Sequence, residues 1–361
     1  MTLLANSGWR IERRASRSSL ALISALLAAG TGAILCCSLL FVAAGADPIA
    51  AFAALAKGSL GSVRAIADTL VRATPLILTG LATALAFRAR LWNIGAEGQV
   101  FAGAMFAFWC QSAIGAAPAY IQIPVIVLGG LCGGALFGGL AGLLKARFQV
   151  DEVIATVMLN YIIAYVLSLL LQQGPWTEPG GFFEQTAIVP DEAKLPILIE
   201  KTRLHLGFVL ALVLAAILHV VLHRSPLGYE IRAAGSNLRA LQFQGVNAGR
   251  LVLVVFVLSG AVAGLAGAFE LYGVQHRLKS GTLGGLGYTG IIIAILGQLS
   301  PRGVVIAALL FGALLNGSTL MQIKTGVPSA LIYAIEAIIL MFFLIAWAAS
   351  RFRLRRLRHV D

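Results

Sequence analysis

The stretch IQIPVIVLGGLCGGALFGGLAGL at residues 121–143 decides the fold class of this chain. It contains no charged residue, and its apolar side chains lack the strict alternation with polar residues that marks a half-buried strand. About 20 apolar residues in a helix are enough to cross the hydrocarbon core of a bilayer. The stretch therefore predicts a membrane-spanning α-helix.

Glycine recurs every fourth residue in this stretch, and a second pair with the same spacing lies near residue 260. Small residues at this spacing form one stripe of a helix and let two backbones approach closely within a membrane. The stripes therefore predict tight contacts between helices of a bundle. The glycines concerned are Gly130, Gly134, Gly138, Gly142, Gly260 and Gly264.

The composition of the whole chain agrees with a membrane protein. Of its 361 residues, 59% are hydrophobic and 12% are charged, and the mean hydropathy is +0.90. Soluble domains carry about 25% charged residues, and the strands of an outer-membrane barrel alternate apolar with polar residues. Both classes are excluded, and we expect an all-α, polytopic bundle of about ten transmembrane helices.

Ten apolar runs are candidates for these helices. The first is longer than the apolar part of a signal peptide, which favours an uncleaved helix. A transmembrane domain over 20–349 is then flanked by basic tails at 1–19 and 350–361, with long loops at about 172–204 and 224–250. The runs are 20–44, 73–87, 98–116, 121–143, 153–171, 205–223, 251–274, 288–299, 303–322 and 328–349.

The basic residues indicate how the chain is oriented. The net charge is +12 and the sequence pI about 10.1, but Lys and Arg fall in short segments between apolar runs, about two to one in favour of the side that holds both tails. This bias predicts cytoplasmic N- and C-termini and explains the charge without nucleic acid. The four cysteines lie inside apolar runs without paired spacing, so no disulfide framework or metal site is predicted.

Two segments do not look like simple spans. The run 288–299 is short and precedes Pro301, and 49–72 is interrupted by Lys57 and Arg64. Transporters place broken helices and binding sites in such segments. A short, tilted helix covered by its neighbours is an equally good interpretation.

The richest short motif is Asn93-Ile-Gly-Ala-Glu-Gly-Gln99, which leads directly into an apolar run. Its candidate residues are Asn93, Gly95, Glu97, Gly98 and Gln99. A charge this close to a span needs a partner or a water-filled cavity, so the cluster is predicted to line a pathway or to lock a helix break. Alternatively, Glu97 has no role beyond a favourable interaction of its negative charge with the positive N-terminal end of its own helix.

The loop 224–250 is predicted to form two short helices. Gly235 fits a left-handed position at the end of the first, Ser236 or Asn237 the N-cap of the second, and Gly245 its stop. An ordered basic element of this kind suits docking of a cytoplasmic protein, and the alternative is an amphipathic helix on anionic lipid.

Four further polar residues lie within predicted spans. Glu270 and Glu336 are candidates to line a pathway because a charge is costly at the membrane centre, although Glu270 also suits an interfacial position. Asn160 and Asn316 more often donate hydrogen bonds between helices than bind a substrate.

Nucleotide motifs give no support for an enzyme. The sequence has no GxxxxGK[ST] phosphate loop, so ATP hydrolysis by this chain in that manner is not expected. Gly285-Leu-Gly287-Tyr-Thr-Gly290 matches the dinucleotide fingerprint only in its letters, because no strand precedes it.

Four ordered motifs together resemble the permeases of bacterial ABC importers. They are NIGAEGQ at 93–99, KARFQVDEVIATVMLNY at 145–161, GSNLRALQFQG at 235–245 and GYTGIIIAILGQLSP at 287–301. The likeness covers about 60–350 and is specific to the branched-chain amino acid / simple sugar permease superfamily, in particular to the larger permease of nucleoside or simple-sugar importers.

This resemblance implies an inner-membrane pore subunit that binds no cofactor itself. Its expected partners are a cytoplasmic ABC ATPase that holds ATP and Mg, a second, shorter permease, an external binding lipoprotein or periplasmic protein, and membrane lipid. The ATPase-coupling residues that it assigns are Gly228, Tyr229, Arg232, Gly235, Asn237, Arg239 and Gly245. Glu336 and the Gln242-Phe-Gln244 segment depart from the pattern of the family.

The mechanism implied is alternating access, with ATPase closure transmitted through the 224–250 loop. A nucleoside is the first choice of substrate, and a pentose or hexose the second. The main alternative is a secondary transporter that uses Glu270 and Glu336 as proton carriers; a membrane scaffold would leave the coupling-loop pattern unexplained.

Overall fold

A computed structural model describes residues 9–13, 19–115, 117–172, 174–178, 180, 183–328 and 330–356. Helices make up nearly all of the regular structure in these ranges, as the sequence predicts. The elements are β1 (Trp9–Arg13), α1 (Ser19–Ala43), α2 (Pro48–Leu60), α3 (Val63–Arg88), α4 (Ala96–Ile114), α5 (Ala119–Phe148), α6 (Glu152–Gln172), α7 (Gly207–Arg224), α8 (Pro226–Phe243), α9 (Ala248–Glu270), α10 (Leu286–Leu296), α11 (Pro301–Thr325), α12 (Leu331–Arg351) and β2 (Phe352–Arg356).

Seven helices of the described chain are long and apolar enough to cross a membrane. They are α3, α5, α6, α7, α9 with its extension to Gln275, α11 and α12 up to Ala349. Helix α1, from Leu27, and α2 form a pair bent by 110° that counts as an eighth span if taken together. The other two predicted runs correspond to α4 and to the short α10. All ten runs thus fall on helices, while the count of ten spans and their orientation stay predictions.

The chain divides into two compact units. The larger comprises Ser59–Asn316, and the smaller combines the residues up to Gly58 with those from Gly317 onward. In the larger unit, α3 is buried along nearly all of its length from Ala67 to Phe87, and α9 is buried along most of its length. These two helices therefore form the centre around which α4, α5, α7 and α10 pack.

Local capping explains several helix boundaries. Helix α3 begins at 63 rather than at the predicted 73, because the Ser62 hydroxyl accepts a hydrogen bond from the Ala65 N–H (3.0 Å) and starts the helix ahead of its apolar run. At the end of α5, Gln149 adopts a left-handed conformation (φ 55°). The Asp151 carboxylate then accepts from the N–H groups of Val153 and Ile154 and starts α6.

The glycine stripes of α5 and α9 lie against each other. A Cβ atom added to Gly134 would collide with the Gly260 carbonyl oxygen, and one added to Gly264 would collide with the carbonyl oxygen of Gly130. Gly138 meets the backbone of Phe256, and Gly142 its side chain, in the same way. The two helices are therefore in direct backbone contact.

Helix α8 consists of two helical pieces, as predicted. The break is at Asn237, whose φ of −158° and ψ of 100° are not helical, and its side chain accepts a hydrogen bond from the Ala240 N–H (3.1 Å) as the cap of the second piece. Gly245 follows with φ 85°. The left-handed position predicted for Gly235 is wrong, because its φ is not positive. A Cβ at this position would instead collide with the Arg88 carbonyl oxygen.

The smaller unit adds a feature that the sequence does not predict. Strands β1 and β2 pair in antiparallel fashion, with Trp9 opposite Arg356 and Arg13 opposite Phe352. The described parts of the two tails therefore lie side by side.

Candidate functional site

A cluster of polar side chains lies where α4, α6, α9 and α10 meet. We call it the polar joint and define it as Asn93, Glu97, Gln99, Asn160 and Ser259. All five side chains are buried, each less than 9% exposed. Three of them belong to the predicted Asn93–Gln99 motif, and the structure brings Asn160 to them from a segment more than 60 residues away.

Asn93 ties the segment before α4 to the centre of the larger unit. Its amide nitrogen donates to the Ser259 hydroxyl (2.9 Å) and to the Gln99 side-chain oxygen (3.1 Å). The Ser259 hydroxyl donates in turn to the carbonyl oxygen of Ala82 in α3 (2.8 Å). The Asn93 oxygen accepts from the Gly95 N–H (3.0 Å), which closes the turn that leads into α4.

Glu97 lies in the first turn of α4 but caps a different helix. Its carboxylate accepts hydrogen bonds from the N–H groups of Gly285 (2.5 Å) and Gly287 (2.7 Å), at the start of α10. These N–H groups have no partner within the helix, and a negative charge is favoured at a helix N-terminus. No Lys or Arg among the described residues pairs with this carboxylate, so the start of α10 is its counter-charge.

Glycine is required where α10 begins. Gly285 has a φ of 91°, a conformation that L side chains rarely adopt, and a Cβ on Gly287 would collide with the backbone of Glu97. The Gly285–Gly290 letters that resemble a nucleotide motif thus serve a tight turn and a close helix contact.

Asn160 connects α6 to the same place. Its side-chain oxygen accepts from the Gly98 N–H (2.8 Å), and its nitrogen donates to the Ile94 carbonyl oxygen (3.1 Å) and to the Tyr288 hydroxyl (3.3 Å). Both acceptor and donor capacity of the amide are therefore used inside the protein.

The polar joint lies near the middle of α6 and α9 and at the N-terminal ends of α4 and α10. Ser259 is near the middle of the apolar stretch Ala248–Gln275, and Asn160 is near the middle of α6. A bilayer core is about 30 Å thick, whereas α10, with 11 residues at about 1.5 Å each, spans only about 16 Å. Helix α10 therefore begins at mid-depth and is a half-length helix.

The remaining candidates lie away from the polar joint. Glu270 ends α9 and accepts a hydrogen bond from Gln275 (2.9 Å). Asn316 donates to the Ala65 carbonyl oxygen (2.9 Å) and to the Thr69 hydroxyl (3.1 Å) of α3. Glu336 belongs to the smaller unit, where it is 2% exposed and one carboxylate oxygen has no hydrogen-bond partner among the described residues.

The structure also places the residues of the predicted coupling loop. Gly228 lies against the backbone of α7, where a Cβ would collide with the Val221 carbonyl oxygen. Gly235 lies against the end of α3. Tyr229, Asn237, Arg239 and Gly245 are exposed, and Arg232 is half-buried. The inner side of α8 is thus packed on the unit, and the other side is open.

Sequence reasoning missed Tyr288 and Ser259. Tyr288 falls inside the Gly285–Gly290 motif, and Ser259 is a single hydroxyl in an apolar helix. In the sequence, each is marked only as a polar residue within an apolar run. Many residues with no functional role have the same mark.

Comparison with known proteins decides the family. Residues 65–344 match the family described as branched-chain amino acid transport system / permease component. The chain belongs to this family. The permease is 36% identical to the guanosine ABC transporter permease protein NupP of Bacillus subtilis, over 93% of this chain and 95% of NupP.

Two further relatives extend the comparison. The glucose ABC transporter permease protein TsgB13 of Haloferax volcanii is 34% identical, over 86% of this permease and 84% of TsgB13. NupQ, a second guanosine ABC transporter permease protein of Bacillus subtilis, is 27% identical, over 68% of this permease and 78% of NupQ. The resemblance stated from the sequence is confirmed, and the comparisons give no support to a secondary transporter.

Proposed function

We propose that this permease forms the translocation pathway of an ABC importer for nucleosides. The observation that carries the proposal is the 36% identity to a guanosine permease protein over 93% of the chain. The half-length helix α10 is compatible with it, since transporters place substrate sites at helices broken near mid-membrane. A simple sugar is the second candidate, because TsgB13 is a glucose permease protein.

The proposal includes the partners that such an importer needs. A cytoplasmic ATPase would hold ATP and Mg, an external binding protein would deliver the substrate, and a second permease would complete the pathway in the plasma membrane. Support for a second permease comes from Bacillus subtilis, in which NupP and NupQ both resemble this chain.

The ATPase is proposed to dock on the open side of α8. Phe243 at the end of α8 is 91% exposed, and Arg239 adds positive charge beside it. A cavity of about 540 Å³ adjoins the start of α8, lined in part by Glu230, Asn247 and Arg250. Exposed aromatic and Arg side chains are typical of residues that dominate binding at protein interfaces.

The contacts of α8 suggest how movement reaches the pathway. Gly235 of α8 touches the Arg88 carbonyl oxygen at the end of α3. The Arg88 guanidinium donates to the Leu299 carbonyl oxygen just after α10 (3.2 Å). A shift of α8 would therefore act on α10 through one residue, while Glu97 holds the other end of α10.

Arg88→Gln tests this linkage. We expect the assembled importer to hydrolyse ATP at close to the normal rate but to transport several times less substrate per ATP, because the hydrogen bond to Leu299 is weakened or lost. Arg90→Gln is the matched control, since Arg90 is exposed. Equal coupling ratios in the two variants would contradict the linkage.

Uptake assays test the function itself. A strain lacking the permease is complemented with the wild-type gene, and uptake of labelled guanosine and D-glucose is measured with and without ATP depletion. We expect ATP-dependent guanosine uptake. Uptake of glucose alone would establish the second candidate, and guanosine uptake that survives ATP depletion would refute an ABC importer.

A further inference from the structure

We propose that the ring of Tyr288 is the surface against which the nucleobase rests as a nucleoside passes through the membrane. The inference rests on the proposed nucleoside transport and adds to it a residue that contacts the substrate. Tyr288 lies in the first turn of the half-length helix α10, and its side chain is 41% exposed.

Irregular backbone precedes Tyr288 and argues against a lipid environment for its exposed face. Between Ser280 and Gly285 the chain is not helical, and Gly281, Thr282 and Gly284 are exposed. This segment leads to the polar joint at mid-depth. Irregular backbone at membrane depth is tolerated only where it is covered by protein or lines a water-filled cavity, because lipid cannot satisfy its hydrogen bonds. The face beside Tyr288 therefore meets either the second permease or the pathway, and the proposal assigns it to the pathway.

The charge at this place selects the kind of ligand. The N-terminus of a half-length helix usually attracts anions. Here the N–H groups of Gly285 and Gly287 are already occupied by the Glu97 carboxylate, so a second anion would find no free donor there and would meet a negative charge. The site therefore suits an uncharged ligand and disfavours a nucleoside phosphate.

The orientation of the Tyr288 ring is fixed by a hydrogen bond. Its hydroxyl accepts a hydrogen bond from Asn160 (3.3 Å), which is itself fixed by the Gly98 N–H and the Ile94 carbonyl oxygen. An aromatic face stacks with any flat base without reading its hydrogen-bonding edge, and removing such a face weakens nucleobase binding by about 5- to 150-fold. A fixed, half-exposed ring is therefore suited to guide a base through the pathway.

The experiment compares Tyr288→Phe and Tyr288→Leu in the complete importer reconstituted in liposomes. Labelled guanosine uptake is measured per ATP hydrolysed. Phe keeps the ring and loses only the hydrogen bond to Asn160, so we expect uptake within about threefold of wild type. Leu removes the aromatic face and should lower guanosine uptake about tenfold. Tyr120→Leu, at an exposed tyrosine at the start of α5, is the control and should transport normally.

The outcomes separate the two proposals. Absence of guanosine uptake by the wild type would refute nucleoside transport itself. Normal guanosine uptake by both the wild type and Tyr288→Leu would refute only the role of Tyr288. Should the Leu variant fail to assemble, Tyr288→Trp provides an independent readout: guanosine should quench its fluorescence more than that of the wild type, and equal quenching would overturn the proposal.

Discussion

Two glycine-rich regions of the permease use the same residue for opposite purposes. In α5 and α9, glycines bring two long helices into backbone contact. In the segment from Gly281 to Gly287, glycines allow a tight turn and leave N–H groups free for the Glu97 carboxylate. We call the first region, where the glycines of α5 and α9 are in backbone contact, the dry seam. The second region adjoins the polar joint, where the N–H groups of Gly285 and Gly287 donate to the Glu97 carboxylate.

The largest effect is expected at the dry seam. Gly134→Val places side-chain atoms against the backbone of Gly260, where no flexible group can move aside. We expect the folded permease to be lost from membranes, as measured by its yield and by size-exclusion profile in detergent. Gly139→Ala is the control, because its Cβ would meet only the Val257 side chain at 3.1 Å. Normal yield of Gly134→Val would show that the seam is not tightly packed.

A smaller effect is expected at the polar joint. Glu97→Ala removes the acceptor of two hydrogen bonds, each worth about 1.5–3 kcal/mol when one partner is charged, and we expect a loss of roughly 3 kcal/mol or more in the free energy of unfolding. Glu97→Gln keeps one acceptor oxygen and should lie between Ala and wild type. Thermal unfolding in detergent measures the order, and a Gln variant as stable as wild type would show that the charge contributes nothing.

Near the C-terminal end of α9, two further glycines pack against a buried histidine. A Cβ atom on Gly207 or on Gly273 would collide with the His205 ring. His205 is 2% exposed, its Nδ1 accepts from the Gly207 N–H (3.2 Å), and its Nε2 has no hydrogen-bond partner in the described part of the chain. Burial, and then the charge of His276, lower the pKa of His205 to about 4. Lys194, Arg203 and Asp191 also face His276.

The shift in the pKa of His205 predicts acid sensitivity of the loop 183–206. The unfolded imidazole gains a proton near pH 6.5, but the folded one only near pH 4. Stability is therefore unaffected by His205 above pH 6.5 and falls as the pH drops toward 4, by roughly 3 kcal/mol at most. Limited proteolysis of the loop should quicken between pH 6.5 and 4.5, and His205→Gln should weaken this dependence. An unchanged pH profile in the variant would assign the effect to another group.

The smallest effect is expected where a glycine contact lies outside the dry seam. Gly235→Ala drives a Cβ into the Arg88 carbonyl oxygen, but α8 is exposed on its other side and can shift. We expect a loss of about 1–2 kcal/mol in the free energy of unfolding and reduced transport per ATP. Gly249→Ala meets its nearest atom at 3.5 Å and should behave as wild type. Equal coupling in both would argue against α8 as the transmitting element.

The sequence predicts the elements of this structure better than their contacts. Apolar runs locate the helices because lipid imposes a minimum length and continuous hydrophobicity. The start of α3 was missed because Arg64, Asp68 and Arg72 lie in its first turns, where capping by Ser62 outweighs the apolar pattern. Glycine is favoured both where the backbone is left-handed and where another backbone comes close. The sequence alone therefore cannot tell which of these two reasons explains Gly235.

The candidate site shows the same limit. The Asn93–Gln99 motif marks a polar cluster within a membrane, but the partner of Glu97 is a backbone about 190 residues further along the chain. Backbone N–H groups leave no sequence signal, and only the glycines that make room for the contact hint at it. The sites assigned from the sequence therefore remain predictions for the experiments above.

The long sequence separation between Glu97 and Gly287 also has a consequence for synthesis and membrane insertion of the permease. Ribosomes add about 5–20 residues per second, so roughly 10–40 s pass between synthesis of Glu97 and synthesis of Gly287. During that time the carboxylate lies at the start of an apolar helix without the N–H groups that later bind it. Membrane insertion must therefore keep α4 near water, or near the insertion machinery, until about four-fifths of the chain has been made. A nascent chain stopped before residue 285 should accordingly be a better substrate for membrane quality-control proteases than one stopped after residue 300.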